Sequence, residues 1–190
     1  MNEAELIRMF KDANALLTGH FKLTSGRHSD VYYEKFTLLS QPAACTRICA
    51  EMADRIAGSG AVTVVGPTTG GIIIAYDVAR YLGIEAIYAE PGGEGRVFKR
   101  GFSLEKGQKV AIVDDVLTTG RSIREVISLV NSHQAEIVAI CLMLDRSNDT
   151  VTFDHPFTAL AAVEAQSWIP DDCPLCADGL PLTQRGSRKK

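Results

Sequence analysis

The sequence predicts an α/β fold built on a doubly wound, mostly parallel sheet. Between residues 61 and 145, short aliphatic and β-branched runs such as VTVV and VAIV alternate with amphipathic segments of helical period. This alternation is typical of βαβ units. The strand-like runs are continuously apolar rather than alternating, as expected for strands that helices cover on both faces. The crossovers that join them should be right-handed.

Composition and charge limit the kinds of protein to which this chain can belong. The 190 residues are 46% hydrophobic and 23% charged, so we expect one globular domain over residues 1–190. No apolar run approaches the ~18 residues that a membrane span needs. The opening MNEAELIRMF lacks the order of a signal peptide, which favours a cytoplasmic protein. A net charge of −3 predicts no general attraction to nucleic acid, although the final RGSRKK is basic.

The N-terminal third contains two predicted helices. Apolar residues at helical spacing predict an amphipathic helix over residues 3–17 that ends at Gly19. Residues 20–34 are turn-rich and then aromatic, which predicts a loop leading into a short strand. Pro42 is suited to the first turn of a helix, PAACTRICAEMADRIAGSG, which glycines stop.

Regular alternation then follows and is interrupted once. The predicted elements are the strand AVTVVGP, the helix GGIIIAYDVARYLG, the strands IEAIYAE and KVAIVDD, the helix RSIREVISLVNSH and the strand AEIVAICLMLD. Residues 91–108, PGGEGRVFKRGFSLEKGQ, stand where a crossover helix is expected and are rich in glycine and charge. A connection of this length is typically a mobile functional loop or a flap-like hairpin. A solvated hairpin without a role is the alternative.

The cysteines are odd in number, which favours reduced thiols. They are Cys45, Cys49, Cys141, Cys173 and Cys176. CPLC, from Cys173 to Cys176, has half the spacing of a zinc site, but the surrounding sequence offers no second pair and no nearby histidine. We therefore interpret it as a structural turn in preference to a metal site.

A glycine-rich loop follows the first strand of the alternating region. In VVGPTTGG, residues 64–71, glycines allow close backbone approach to a ligand, and the next helix points its N-terminus there. It is not a Walker A loop, because Ile72 and Ile73 stand where lysine and a hydroxyl residue are needed. A simple packing turn is the alternative.

The stretch VAIVDDVLTTGRS, residues 110–122, is more specific. Asp114 and Asp115 leave a buried strand, and the TTGRS segment then supplies hydroxyls and backbone N–H groups at the start of a helix. Such a nest suits a phosphate. The carboxylates cannot bind that phosphate, but they can accept hydrogen bonds from sugar hydroxyls or face a cation. The combination predicts a phosphorylated sugar, and an ion-paired acidic turn that caps a helix is the alternative.

VAIVDDVLTTGRS resembles the phosphoribosyl pyrophosphate (PRPP) binding motif of the type I phosphoribosyltransferases. Other segments are similar to the orotate-specific branch of that family: GHFKLTSGRHSDVYYEK, GPTTGGIIIAYDVARYLG, FKRGFSLEKGQ and LDRS. The tail CPLCADGLPLTQRGSR resembles a bacterial subgroup, so the resemblance covers nearly the whole chain. It implies a small N-terminal hood over residues 1–40, a mobile loop over 91–108 and a tail over 170–190.

The resemblance implies transfer of phosphoribose from PRPP to orotate, with Mg²⁺ carried by PRPP near Asp114 and Asp115 and not by a dedicated protein site. Asp114 and Asp115 would hold the ribose hydroxyls and face its developing charge. The PRPP contacts implied are Asp114, Asp115, Val116, Leu117, Thr118, Thr119, Gly120, Arg121 and Ser122, with Thr68, Thr69, Gly70 and Gly71 on the diphosphate side.

In this family the mobile basic loop closes over the neighbouring subunit's site, which implies a homodimer with shared active sites. Lys99 and Arg100 are the implied catalytic residues of that loop, with Arg96 next.

For orotate, the implied contacts are Thr118, Arg146, Lys22 and Arg27, with Ser25 and Gly26 beside them. A guanidinium group suits a carboxylate. Tyr32 or Tyr33 could stack on the ring, although core packing is the simpler role for each. A solvated loop side chain is the simpler interpretation of His28.

Two features depart from the family pattern. Glu90 is followed by Pro91 where many members have a basic residue, and GPTTGG has no lysine. Two other functions stay open at this point. One is a phosphoribosyltransferase for a purine or uracil, and the other is a PRPP-sensing regulator.

Overall fold

Two β-sheets organise the chain in the computed structural model, which describes residues 1–23, 25–164 and 166–185. The α-helices within these residues are α1 (Glu3–Asp12), α2 (Lys35–Leu39), α3 (Pro42–Ile56), α4 (Gly70–Leu82), α5 (Arg121–Ser132) and α6 (Pro174–Ala177). The strands are β1 (Leu16–Lys22), β2 (His28–Tyr33), β3 (Thr63–Pro67), β4 (Glu85–Gly92), β5 (Gly95–Val97), β6 (Lys109–Leu117), β7 (Glu136–Asp145), β8 (Phe157–Ala162) and β9 (Thr183–Gln184).

The larger sheet has the strand order β5-β4-β3-β6-β7-β8. All neighbouring pairs are parallel except β4 and β5, which form an antiparallel hairpin. The predicted doubly wound, mostly parallel sheet is confirmed. From β3 the chain first adds β4 on one side and then β6 on the other, so the winding reverses between β3 and β6. Ligands bind such sheets outside the carboxyl ends of the strands at this switch point.

The core occupies both faces of this sheet. On β6, Ala111 and Val113 belong to the cluster shared with α1, α3 and α4, whereas Val110 and Ile112 belong to the cluster that packs under α5. All four side chains are inaccessible to solvent. The continuous apolar runs in the sequence therefore reflect burial on two faces.

The N-terminal helix is shorter than the sequence predicts. Helix α1 begins with a capping box between Asn2 and Glu5 and ends at Asp12, and Asn14 then takes a left-handed φ of 52°. Leu16 and Leu17 extend instead along β1, opposite Tyr33 and Tyr32. The helical spacing predicts a helix over residues 3–17 because the two adjacent leucines, Leu16 and Leu17, fit a helix. They also fit a strand when a second strand pairs beside them.

The smaller sheet has the order β2-β1-β9. The segment predicted as a loop and a short strand is an antiparallel hairpin of β1 and β2, and β9 from the tail pairs with β1 in parallel. Residues 186–190, which end the predicted tail and include most of the basic RGSRKK stretch, lie outside the described residues.

The interruption at residues 91–108 begins as the hairpin of β4 and β5, in which Pro91 lies opposite Arg96. A flap-like hairpin is one of the two structures that the sequence favours here, and its mobility stays a prediction. In the part of the chain that the structure describes, no helix has both the length and the apolar character of a membrane span.

Candidate active site

Three segments picked out in the sequence meet at the carboxyl edge of the larger sheet. The loop of residues 68–69 follows β3, the loop of residues 118–120 follows β6, and Arg146 follows β7. The strands are in register here: Leu117 lies opposite Asp145, and the Arg146 N–H donates to the Leu117 carbonyl at 2.9 Å. Parallel pairing therefore brings residues from distant parts of the sequence into one crevice.

The acidic pair lies at the centre of this edge and is buried, with Asp114 7% and Asp115 2% exposed. Asp114 Oδ1 accepts the Asp115 N–H at 2.9 Å, and Asp115 Oδ1 accepts the Val116 N–H at 2.6 Å. Asp115 Oδ2 is buried and has no hydrogen-bond partner among the described residues. A buried carboxylate oxygen without a donor is costly, so this atom is suited to accept a ligand hydroxyl.

Lys35, at the start of α2, contributes to this site although sequence reasoning missed it. Its Nζ donates to Asp115 Oδ1 at 2.7 Å, and its side chain is 34% exposed. Lys35 ends the segment GHFKLTSGRHSDVYYEK, but nothing in that segment indicates that this lysine reaches Asp115, 80 residues away in sequence. The ion pair offsets part of the cost of burying the second carboxylate.

Burial, followed by the negative charge of Asp115, raises the pKa of Asp114 to about 8. The aspartate pair therefore retains a proton near neutral pH in the free protein. Hydroxyl donors or a cation beside the pair would favour its ionised form.

The loop between β6 and α5 presents unpaired donors. Among the described residues, no backbone carbonyl accepts an N–H of residues 118–123. Gly120 caps α5 with a left-handed φ of 72°, and a Cβ there would lie 2.7 Å from Val151 and from Arg124. Glycine is therefore required at this turn. The free N–H groups and the positive end of the helix dipole are suited to an anion, and phosphate binding here stays a prediction.

The loop between β3 and α4 presents a second set of donors beside the acidic pair. The N–H groups of Thr69, Gly70 and Gly71 have no backbone acceptor within the described chain. A Cβ on Gly70 would lie 1.9 Å from Asp115 Oδ2, so only glycine allows the start of α4 to reach the carboxylate. The two anion-binding loops therefore border the same carboxylate.

Arg96 joins the two loops. This residue is on β5, and its side chain is 10% exposed. Its guanidinium donates to Thr68 Oγ1 at 3.0 Å and to Ser122 Oγ at 3.0 Å, and also to the Thr68 and Ala89 carbonyls. Because Arg96 lies across the hairpin from Pro91, it brings positive charge to an edge where Pro91 itself has none.

Lys99 and Arg100 lie elsewhere in this structure. Both side chains pair with Glu90, at 3.8 Å and 3.0 Å, and both are at least half exposed. Their implied catalytic roles stay predictions, since these roles require a closed loop and a neighbouring subunit.

On the side predicted for orotate, the Arg146 guanidinium lies 4.9 Å from the centre of the Tyr33 ring. Arg146 Nε is buried and has no partner among the described residues. Burial lowers the pKa of Arg146, although an arginine stays charged at any ordinary pH. Tyr33 also contacts Phe10 edge-on, and Tyr32 packs beside Phe21, so both tyrosines have packing roles.

Lys22 and Arg27 flank the turn between β1 and β2. Lys22 is exposed, whereas Arg27 donates to the side chain of Ser167 at 2.8 Å and to its carbonyl. His28 is not the solvated loop side chain expected from the sequence, because it is only 4% exposed.

Comparison with known proteins agrees with this geometry. A family model described as a phosphoribosyl transferase domain matches residues 37–175. Orotate phosphoribosyltransferases of Desulforamulus reducens and Pelotomaculum thermopropionicum are each 41% identical to this chain over 189 residues. These alignments cover 100% of this chain, and 99% and 100% of the two relatives respectively.

Solved structures show the same fold. The orotate phosphoribosyltransferase of Aeropyrum pernix has a TM-score of 0.71 at 25% identity, covering 83% of this chain and 93% of that one. The adenine phosphoribosyltransferase of Thermoanaerobacter pseudethanolicus has a TM-score of 0.61 at 18% identity, covering 70% and 88%. The latter likeness extends to the fold alone.

The raised pKa of Asp114 predicts pH-dependent stability. Folding raises this pKa, so the folded chain binds the proton more tightly than the unfolded chain. The free energy of unfolding should therefore fall as pH rises from about 4 to about 8, by at most about 1.4 kcal/mol per pH unit. Asp114→Asn keeps an oxygen to accept the Asp115 N–H and removes this loss, so its urea midpoint should exceed that of the wild type most clearly near pH 8. Exposed Asp54→Asn is the control, and parallel pH curves for wild type and Asp114→Asn would contradict the burial argument.

Proposed function

Because the chain belongs to the phosphoribosyltransferase family, and within it to the orotate phosphoribosyltransferases, we propose that it transfers phosphoribose from PRPP to orotate in pyrimidine synthesis. The products are orotidine 5′-monophosphate and diphosphate. One observation carries the proposal at the level of the site. The unpaired Oδ2 of buried Asp115 adjoins the loop of residues 68–71, and the loop of residues 118–122 follows Asp115 in the sequence. A carboxylate between two sets of N–H donors is the pattern that a ribose phosphorylated at two positions requires.

The reaction exchanges a C1′–O bond to diphosphate for a C1′–N bond to the pyrimidine. The bonding electrons leave with the diphosphate, and the proton of the ring N–H is released. Because the C1′–O bond breaks before the nitrogen has fully attacked, positive charge builds on the ribose. Asp114 and Asp115 would accept hydrogen bonds from the ribose hydroxyls and stabilise that charge. Lys35 must then share Asp115 with the sugar or leave it.

The two loops divide the phosphates of PRPP between them. Residues 118–122, at the start of α5, would hold the 5′-phosphate, and residues 68–71 would meet the diphosphate with backbone N–H groups. Arg96, which contacts both loops, would supply positive charge to the leaving group. These donors are in place before substrate binds, and preorganised donors stabilise developing charge most effectively.

Mg²⁺ fits the residues at this edge. Magnesium prefers oxygen ligands and usually binds through one or two carboxylates together with substrate phosphates. The unpaired oxygen of buried Asp115 can face a cation, and such a cation would favour the ionised form of Asp114, whose pKa is raised by burial and by Asp115. When bound with PRPP, Mg²⁺ would neutralise charge on the diphosphate. We propose that it arrives with PRPP near Asp114 and Asp115, without a dedicated protein site.

Orotate would bind beside Arg146 and Tyr33. The unpartnered Arg146 Nε is suited to a carboxylate or a ring oxygen, and Tyr33 limits the space beneath the guanidinium. Thr118 remains a proposed contact, since it follows Leu117, whose carbonyl accepts the Arg146 N–H. Lys22 and Arg27 remain proposed contacts from the hood hairpin.

We further propose a homodimer with shared sites. Lys99 and Arg100 are basic and exposed, and their contacts are ion pairs with Glu90 and, for Lys99, a hydrogen bond to the Pro91 carbonyl at 3.3 Å, so a small movement of the hairpin would free them. They would then reach the diphosphate of the neighbouring subunit. The division into a hood, a mobile loop and a tail, and the cytoplasmic location, stay predictions.

The activity itself is tested with purified protein, PRPP and Mg²⁺. Orotate should be consumed, followed by its ultraviolet absorbance, and uracil and adenine should not. Asp115→Asn should lower kcat by about 10²–10³-fold at unchanged circular dichroism, since it removes charge from the ribose; Asp54→Asn is the control. Turnover of uracil or adenine instead would contradict the orotate assignment, and PRPP binding without any turnover would favour a sensor.

Arg96 is tested by Arg96→Lys. A lysine keeps the charge but cannot donate to Thr68 and Ser122 in the same planar arrangement. We expect kcat/KM for PRPP to fall by about tenfold to 100-fold, with a much smaller change in KM for orotate. Arg80→Lys, on the exposed face of α4, is the matched control. Equal effects on both substrates would indicate general disruption of the crevice and would remove Arg96 from the diphosphate side.

Site sharing is tested by mixing two variants, Lys99→Ala and Asp115→Asn, each with little activity alone. Mixed dimers would contain one intact site, so a random mixture should regain up to about one quarter of wild-type activity if sites are shared. Activity is measured after unfolding and refolding the two variants together, with differently sized tags to quantify mixed dimers. Proven mixed dimers that remain inactive would contradict sharing.

A further inference from the structure

Four potential metal ligands converge outside the crevice. His20 on β1, His28 on β2, and Cys173 and Cys176 around α6 bring their ligand atoms within 4.8 Å of one another. Three of them are at most 4% exposed, and Cys176 is the exposed member. Two histidines and two cysteines are a common ligand set for structural zinc.

Four of the six distances between ligand atoms lie within about 0.3 Å of the edges of a zinc tetrahedron. Zinc–sulfur and zinc–nitrogen bonds of about 2.3 and 2.0–2.1 Å give edges of about 3.3 Å between two nitrogens and about 3.6 Å between nitrogen and sulfur. His20 Nε2 lies 3.0 Å from His28 Nδ1, 3.6 Å from Cys173 Sγ and 3.7 Å from Cys176 Sγ. His28 Nδ1 lies 3.3 Å from Cys176 Sγ.

The surroundings orient these ligands. His20 Nδ1 lies 2.8 Å from the Leu180 carbonyl, so its proton is held there and the lone pair of Nε2 faces the cluster. The backbone of His28 forms an antiparallel bridge with Trp168: the His28 N–H donates to the Trp168 carbonyl at 2.8 Å, and the His28 carbonyl accepts the Trp168 N–H at 2.9 Å. A hydrogen bond from ligand histidine to a carbonyl is typical of zinc sites.

We propose that His20, His28, Cys173 and Cys176 bind one Zn²⁺ ion in a closed tetrahedral site. Four protein ligands leave no open position, so the ion would be structural. Tetrahedral nitrogen and sulfur ligands favour zinc over magnesium or calcium. The site would fasten the tail to the hood hairpin, where β9 already pairs with β1 through Phe21 and Thr183.

CPLC does form a short helical turn, α6, but the structure places two histidines beside its cysteines, although the surrounding sequence offers none. His20 is 153 residues from Cys173 in sequence, and only the pairing of the tail with the hood brings them together. A second cluster, Cys45, Cys49 and Asp77, has three candidate ligands, and Arg80 already pairs with Asp77 at 2.7 Å. It lacks a fourth ligand among the described residues and provides the natural control.

The zinc site would also brace a loop of the proposed orotate side. His20 and His28 stand at the two ends of the turn that carries Lys22 and Arg27, and the Leu23 N–H closes that turn by donating to the Arg27 carbonyl at 2.8 Å. If the proposed function holds, loss of zinc should raise KM for orotate more than KM for PRPP. This consequence rests on the proposed function, whereas metal binding does not.

The test measures the metal content of the untagged full chain. The protein is produced in medium that contains zinc and is then dialysed, and its metal is quantified by elemental mass spectrometry. We expect about one zinc per chain in the wild type and in Cys45→Ala. Cys176→Ser should weaken zinc affinity by more than about 100-fold in competition with a chromophoric chelator. Cobalt bound in place of zinc should show the strong visible bands of a tetrahedral site and thiolate-to-cobalt charge transfer in the near ultraviolet.

Several results would overturn the zinc site. The site is contradicted if the wild-type protein contains only trace metal and then fails to take up zinc or cobalt under reducing conditions. A cobalt spectrum without thiolate bands, or loss of metal in Cys45→Ala equal to that in Cys176→Ser, would also contradict it. If Cys176→Ser does not fold, the cobalt spectrum of the wild type decides. None of these measurements depends on orotate turnover, so failure of the activity would leave this result intact.

Discussion

The burial of two adjacent carboxylates at the end of β6 is the constraint around which the crevice is built. Asp114 and Asp115 lie where a strand, covered on both faces, meets solvent, and burial raises the pKa of Asp114 to about 8. Their surroundings partly offset this cost with backbone N–H groups and with Lys35. The remaining oxygen of Asp115 leaves room only for glycine at position 70. The end of β6, the start of α4 and Lys35 of α2 therefore all lie against this one pair of carboxylates.

The segments beside this pair carry little positive charge of their own. Pro91 near the end of β4 brings none, and the loop after β3 has no lysine. Arg96 approaches the same edge from the opposite strand of the hairpin, and its guanidinium contacts both anion-binding loops. Antiparallel pairing thus lets one strand supply a charge that the neighbouring strand lacks.

The hairpin of β1 and β2 and the C-terminal residues contact each other in a similar way. The hairpin of β1 and β2 carries two buried histidines, and the tail carries two thiols that reach them. Small sheets at the edge of a domain bury little apolar surface, so a metal or another cross-link adds stability where the core cannot. The contact of Arg27 with Ser167 adds a polar link between the hairpin and the segment just before the tail.

The sequence by itself determined the features that local pattern encodes: the alternation of strands and helices, the parallel sheet, and the acidic pair followed by a glycine turn at the start of a helix. These features follow from the hydrophobic period of each segment and from short motifs whose residues are close to one another in the sequence. Only the tertiary structure decided that α1 ends at Asp12, that Lys35 reaches Asp115, that Arg96 bridges two loops, and that His20 lies beside Cys173. Each of these depends on contacts between residues distant in sequence, and side chains that act across such distances leave no periodic or spaced signal in the chain.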